Sequence, residues 1–168
     1  IAGALSQGVE EIIIGIGGSA TTDAGVGMAQ ALGVSFLDRK GNEIGYGGRN
    51  LNKIVDIDMS GLNPKVKDVI IRVACDVDNP LFGKSGAAYV YSPQKGADHK
   101  MVEQLDKNLR HFNRVVKSEL NKDVSEIPGA GAAGGLGAGL MAFLDAKLEK
   151  GIDIILDTVN FEKQLENV

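Results

Sequence analysis

The run "EEIIIGIGGSATTDAGVG", residues 10–27, sets the terms for what this chain can fold into. "EEIIIGI" is short, β-branched and bounded by glycine, the pattern of a strand buried on both faces. Five glycines fall within residues 15–27, and two threonines and an aspartate stand where a helix should begin. A strand that enters a glycine turn and leaves through a helix presents backbone N–H groups, and the helix dipole favours negative charge there. Three readings of the stretch remain open: a phosphate cradle, a pocket for a carbohydrate or an acid, or only a tight turn.

Glycine makes up 23 of the 168 residues, and it gathers at 15–27, 41–48 and 129–139 rather than spreading as a linker. Between these clusters the apolar pattern alternates between two periods. "DAGVGMAQALG" predicts a helix stopped by Gly33. "VSFLD" predicts a short strand closed by the turn "DRKG". "NKIVDIDM" predicts a half-buried strand and "VKDVIIRVACDV" a stronger one. From Asp98 as N-cap, the spacing Met101, Leu105, Phe112, Val116, Leu120 predicts a long amphipathic helix. "GGLGAGLMAFLDAKLEKG" predicts a second helix ending at Gly151, "IDIIL" a last strand and "NFEKQLEN" the start of a last helix. Strands alternating with helices argue for an α/β fold with a largely parallel or mixed sheet. The length suits one domain, 1–168. The first residues, "AGALSQG", read as the end of a helix, and the chain stops in another helical pattern. The expectation is an internal fragment of a longer protein.

A net charge of −4 and a pI of about 5.2 argue against nucleic acid as a partner. No apolar run approaches the roughly 18 residues that span a bilayer, so no membrane partner is expected. Without a signal-peptide pattern, the expected location is cytoplasmic. Cys75, the single cysteine, lies in "VIIRVACDV" and reads as a buried structural thiol. His99 and His111 have no third ligand near them, which makes surface or partly buried side chains the better reading than zinc.

Two phosphate motifs can be tested against the glycines. "GKS" occurs at Gly83–Ser85, but the first glycine of a P-loop would fall at Asp78, so that match fails. The dinucleotide fingerprint fits better: Gly15, Gly17 and Ala20 are in place, and Asp38 follows about 20 residues on. Asp23 counts against it, because a carboxylate in the first helical turn would repel a pyrophosphate. The competing reading is that Asp23 or Thr22 caps the helix. "ACDVDNPLFGKSG" is a second candidate. If Asp76 and Asp78 close a strand, alternation places both on one face. There they would hold Mg²⁺, or one would take a proton from a hydroxyl; the competing reading is an Asx turn at Asp78-Asn79-Pro80. "PGAGAAGGLGAG", 128–139, is the third, either an anion site at a helix start or close helix packing through small residues.

Together, "GIGGSATTDAG", "ACDVDNPLFGKSGAAYVYSPQKGAD" and "PGAGAAGGLGAGLMAFLDAKLEKGIDII" resemble the bacterial glycerate kinases of the first family, in order and at suitable distances. The resemblance covers essentially the whole chain. It implies transfer of the ATP γ-phosphate to a hydroxyl of D-glycerate with Mg²⁺, 2-phosphoglycerate being the expected product. It also implies one piece of a two-domain α/β kinase, with the remaining domain of the same chain as partner and the site between domains. The residues it points to are Gly17, Gly18, Ser19, Thr21 and Thr22 for the ligand's phosphate and carboxylate groups. Asp76 and Asp78 would serve as metal ligands or base. Lys95 would be a phosphate counter-charge, unless it is only a solvated loop lysine. Gly129, Gly131, Gly134 and Gly135 would complete the nucleotide cradle. The alternative expectation is an NAD(P)-binding domain of an oxidoreductase, and a third is a small-residue scaffold that packs against the rest of its own chain.

Overall fold

Side-chain alternation in the β-branched runs decides which way the central sheet faces. The computed structural model describes residues 1–165. In chain order it has α1 (Ala2–Ser6), β1 (Glu11–Gly15), α2 (Val26–Ala31), β2 (Ser35–Leu37), β3 (Asp56–Asp58), β4 (Ile70–Ala74), α3 (Ala87–Tyr91), α4 (His99–Leu120), α5 (Ala132–Leu144), β5 (Lys147–Glu149), α6 (Gly151–Thr158) and α7 (Phe161–Leu165). Strands β1, β4 and β5 form an all-parallel sheet in the order β1-β4-β5, and β2 pairs antiparallel with β3 in a separate ribbon. The fold is α/β, as expected.

One face of the parallel sheet supplies the core. Ile71 and Val73 are buried, and Ile12 and Ile14 pack beside them. The ribbon and the long helices close over this face through Phe36, Phe112 and Phe143. Their rings meet edge-to-face at 5.3 and 6.1 Å, the geometry aromatic quadrupoles prefer. Asp98 caps α4 by accepting from the Met101 N–H at 2.8 Å, and Asn121 ends it in the left-handed region. The buried stripe of α4 runs through Val102, Leu109, Phe112 and Val116. Met101, expected on that stripe, is exposed.

Several boundaries differ from the sequence expectation. Helix α2 starts at Val26 because Ala24 and Gly25 take left-handed φ values of 53° and 71°; Gly33 ends it as expected, at φ 101°. Strand β4 stops at Ala74, so Asp76 and Asp78 lie in the following loop and strand alternation does not govern them. Helix α5 ends at Leu144, not Gly151, where Asp145 turns left-handed. Lys122 holds that turn, donating to the Ala142 carbonyl at 2.8 Å and the Asp145 carboxylate at 2.6 Å. The chain then returns as β5, and "IDIIL" forms α6 instead of a strand. The last helix covers Phe161–Leu165, and the expected continuation through 166 and 167 lies outside the described residues.

Asp123 ties the end of α4 to the next loop. It accepts from Lys117 at 2.8 Å, the Ser125 hydroxyl at 2.7 Å and Asn113 at 3.1 Å. These contacts, Lys117 foremost, hold its carboxyl well below its usual value of 3.8. A carboxyl depressed by folding stabilises the protein above its unfolded pKa, and that stability fades as pH falls through the folded one. Asp123→Asn is therefore expected to lower the melting temperature at pH 7 by about 2–4 °C, roughly 1 kcal/mol for this size. The gap from wild type should close as the pH drops below about 4. Thermal melts across that range read it directly; a gap constant with pH would count against the ion-pair account.

Candidate functional site

Gly15 stands opposite Ala74 in the register, so β1 and β4 end side by side. The loops that follow them therefore leave the same edge of the sheet, the place where parallel α/β sheets bind ligands. The start of α5 is the third part. The Ala24 N–H donates to the Gly134 carbonyl at 3.2 Å. Ala133, Gly134 and Gly135 all take left-handed φ, 55°, 73° and 89°. A Cβ at Gly134 would collide with the Thr21 carbonyl and lie 2.8 Å from Lys95 Nζ; one at Gly135 would lie 2.9 Å from Ala24 Cα. At Gly131 it would strike the Pro80 carbonyl, and at Gly129 it would approach Cys75 Sγ to 2.8 Å. The third glycine run is thus the seam that lets three segments touch. Its Gly131 and Gly135 N–H groups are used within the protein, on the carbonyls of Asn79 and Gly131.

Lys95 pins the first loop. Its Nζ donates to Ser19 Oγ at 2.8 Å and to the Thr21 carbonyl at 2.5 Å. Burial holds this ammonium below the ordinary lysine range, and the charge of Asp23 works in the other direction. Asp23 accepts from Thr21 Oγ1 at 3.2 Å, Gly25 N–H at 3.2 Å and Gly27 N–H at 3.3 Å. It caps the start of α2. Thr22 points inward, its hydroxyl 2.9 Å from that of Ser92. Gly17 and Gly18 are exposed, and an added Cβ at either meets nothing within 4 Å. Among the described residues their N–H groups donate to no protein acceptor.

Asp76 is exposed, and its Oδ1 accepts from the Gly151 N–H at 2.8 Å. Asp78 is also exposed and forms no hydrogen bond or ion pair among the described residues. A cavity of about 300 Å³ brings Gly17, Gly18, Ser19 and Asp76 together with Tyr91 and Gln94. A second of about 490 Å³ adjoins it at Ser19 and Ala133, bounded by Thr21, Asp23, Met28, Tyr46 and Leu136. Asp78, Thr22 and Lys95 lie outside both linings. Cys75 is half-buried rather than fully buried and lines the first cavity. His111 is half-buried with Nε2 2.7 Å from the Ile54 carbonyl, and His99 is exposed beside Glu103.

Tyr91 and Gln94 were missed by motif reasoning, although both stand in "YVYSPQKG" beside Lys95. The Tyr91 hydroxyl donates to Asn79 Oδ1 at 2.6 Å, and burial pushes its pKa up. Asn79 Nδ2 in turn donates to the Ser85 carbonyl at 2.7 Å, which fixes the loop carrying Asp78. A larger cavity of about 690 Å³ lies elsewhere, between Arg72 and α6–α7. Its guanidinium is already paired with Glu149 at 2.7 Å and Asp157 at 2.9 Å, so it offers no free charge to a small anion.

Among the described residues no three His, Cys, Asp or Glu side chains come together as a metal cage. Two exposed carboxylates are nonetheless a set that suits Mg²⁺, which keeps several waters and takes one or two carboxylates plus substrate phosphates. The dinucleotide reading fares worse. The helix begins nine residues after Gly17, and its first N–H groups face the Asp23 carboxylate. Asp38 sits in the separate ribbon, its carboxylate accepting from Lys40 and Asn42 N–H in its own turn.

Residues 1–168 match the model of the glycerate kinase family. The chain belongs to the glycerate kinase family. It is 56% identical over 164 residues to a glycerate 2-kinase of Escherichia coli K12, covering 98% of this chain and 43% of that protein. It is 55% identical over 164 residues to a glycerate kinase of Halalkalibacterium halodurans, with the same coverage, 98% and 43%. A crystal structure of a candidate glycerate kinase 2 from Salmonella typhimurium LT2 superposes with a TM-score of 0.94 at 49% identity, over 96% of this chain and 43% of that one. The chain spans less than half the length of the curated relatives it matches.

The seam yields a contrast. Gly134→Ala should cost about 2–4 kcal/mol, since its methyl group meets backbone that cannot move without opening the loop. Gly17→Ala, with open space and ordinary φ, should stay within about 0.5 kcal/mol of wild type. Urea unfolding of both variants is the check, and equal costs would remove the seam.

Proposed function

We propose that this chain is part of an ATP-dependent kinase that phosphorylates a hydroxyl of D-glycerate, giving 2-phosphoglycerate, in the cytoplasm. The observation that carries the reading is the pair of open N–H groups at Gly17 and Gly18, in one cavity with Asp76 and beside the Lys95–Ser19 bond. Membership of the family and the likeness to the Escherichia coli glycerate 2-kinase support the substrate and the 2-position. Among the described residues no helix is long and apolar enough to cross a membrane.

In this reading the glycerate hydroxyl attacks the γ-phosphorus, the bond to the ADP oxygen breaks, and the hydroxyl proton passes to a carboxylate, Asp76 or Asp78. Positioning and charge neutralisation do most of the work in phosphoryl transfer. Gly17 and Gly18 supply N–H donors at close backbone approach. The Ser19 and Thr21 hydroxyls orient the ligand, and Lys95 holds their loop while adding positive charge. Thr22, through Ser92, and Gly129, Gly131, Gly134 and Gly135, through the seam, keep the loops in place. Asp76 and Asp78 would hold Mg²⁺, which spreads the charge of the phosphates. The rest of the two-domain protein would close over this edge of the sheet.

The test is steady-state kinetics on the longer protein. Asp76→Asn and Asp78→Asn should each lower kcat by about 10²-fold or more with little loss of melting temperature. Wild-type turnover and unchanged Mg²⁺ dependence in both would make them turn formers only. The 168-residue chain should fold yet not turn over, because closure and alignment of donor and acceptor are worth several kcal/mol. A coupled ADP-release assay, with circular dichroism as the folding control, decides this. Turnover within tenfold of the longer protein would overturn the two-domain argument.

A further inference from the structure

Strand β4 ends at Ala74, yet its ladder with β5 runs one bond further, from the Cys75 N–H to the Glu149 carbonyl at 2.9 Å. That bond sets Asp76 beside Gly151, the first residue of α6. The Gly151 N–H that Asp76 Oδ1 accepts at 2.8 Å is one of the helix-start donors with no partner inside the helix. Among the described residues Asp76 Oδ2 accepts from no protein group. The side chain is thus aimed through one oxygen and keeps the other for a ligand. Helix α6 is itself fixed, on the face of the sheet opposite the main core, where Ile154 is buried. Arg72 grips Glu149 of β5 through two nitrogens, at 3.0 and 2.7 Å, and Asp157 in the last turn of α6 at 2.9 Å. Gly151 is what lets the carboxylate sit there. A Cβ on it would lie 3.1 Å from Asp76 Oδ2 and 3.6 Å from Oδ1, with Ala74 Cβ next at 3.8 Å. Its φ is not positive, so the backbone does not call for glycine. At Gly134 an added methyl meets backbone; at Gly151 the carboxylate alone must give way.

We propose that Gly151 is a positioning residue for the phosphoryl-transfer site. It seats Asp76 on the first N–H of α6, which makes Asp76 the aimed carboxylate of the pair, and a side chain in its place swings that carboxylate off line. Asp78, with no such bond, carries no comparable constraint. The role of Asp76 rests on the kinase reading; the seat itself is a matter of geometry. Small displacements matter at such a site, since a misplacement of about 1 Å can cost about 10²-fold in rate.

The experiment is a double-mutant cycle on the longer protein, joined to hydrogen exchange. Gly151→Ala should melt within about 2 °C of wild type, because alanine suits a helix better than glycine. Its kcat should nevertheless fall about tenfold or more. Added to Asp76→Asn, the same change should cost less than about twofold further. Exchange of the Gly151 amide, read by mass spectrometry, should be at least about tenfold faster in Asp76→Ala than in wild type. Wild-type kcat in Gly151→Ala beside a slow Asp76→Asn would overturn the proposal. So would equal losses from Gly151→Ala in both backgrounds, since the glycine would then act other than through Asp76. Unfolding of Gly151→Ala would place its methyl against backbone and overturn it too, as would a Gly151 amide that exchanges equally fast with and without the Asp76 carboxylate. Wild-type turnover in Asp76→Asn would instead sink the kinase role of Asp76, and the positioning role with it, while leaving the exchange result standing.

Discussion

The Thr21 carbonyl lies against Gly134 where any side chain would collide, and Lys95 binds that same carbonyl. This approach is the constraint the rest of the molecule is built around. It joins the loop after β1, the 3₁₀ turn that carries Lys95, and the entrance to α5. A neighbouring contact of the same kind, Gly131 beneath the Pro80 carbonyl, adds the loop after β4. Left-handed backbone at Ala133–Gly135 is strained for alanine and free for glycine, which is why the run is so poor in side chains. The glycines give shape first and chemistry second.

Much of the fold was legible because its strongest signals are local. β1 and β4 announce themselves as isoleucine and valine runs, and α4 by its spacing and by Asp98. The failure at "IDIIL" has a clear cause. A short β-branched run cannot be told from a helix by period alone, and here position decides. Asp145 turns the chain early, β5 takes the place beside β4, and the Gly151 N–H finds the Asp76 carboxylate, so the isoleucines are left to a helix. Met101 fails for a related reason: the buried stripe of α4 runs along Val102, Leu109 and Val116, and Met101, beside Val102 in the capping turn, stands at its edge.

The candidate site was legible as three segments but not as a geometry. Sequence placed Ser19, Lys95 and Asp76 in separate motifs, and nothing in their spacing says that Lys95 donates to Ser19. Thr22 looks like its neighbour Thr21 in the sequence, yet one hydroxyl is exposed and the other is buried against Ser92. Asp76 and Asp78 look equivalent by alternation. In the fold one caps a helix and lines the cavity, and the other stands free in the loop. Such differences are set by long-range packing, which no local pattern carries.

Asp76 links α6 to the cavity at the sheet edge. One oxygen is held by the first N–H of α6, which is a favourable partner for a carboxylate because the helix dipole adds to the hydrogen bond. The same side chain borders the cavity with Gly17 and Gly18. Helix α6 lies on the second face of the sheet, bound there by the Arg72–Asp157 pair and by Ile154. The orientation of Asp76 is therefore set from behind the sheet, by whatever fixes α6, while the loops that meet it are set from the front by the glycine seam. A shift of α6 by a fraction of its 1.5 Å rise per residue is enough to lengthen a 2.8 Å bond past the useful range. The packing of α6 on the far face and the geometry at the near edge are then one mechanical problem.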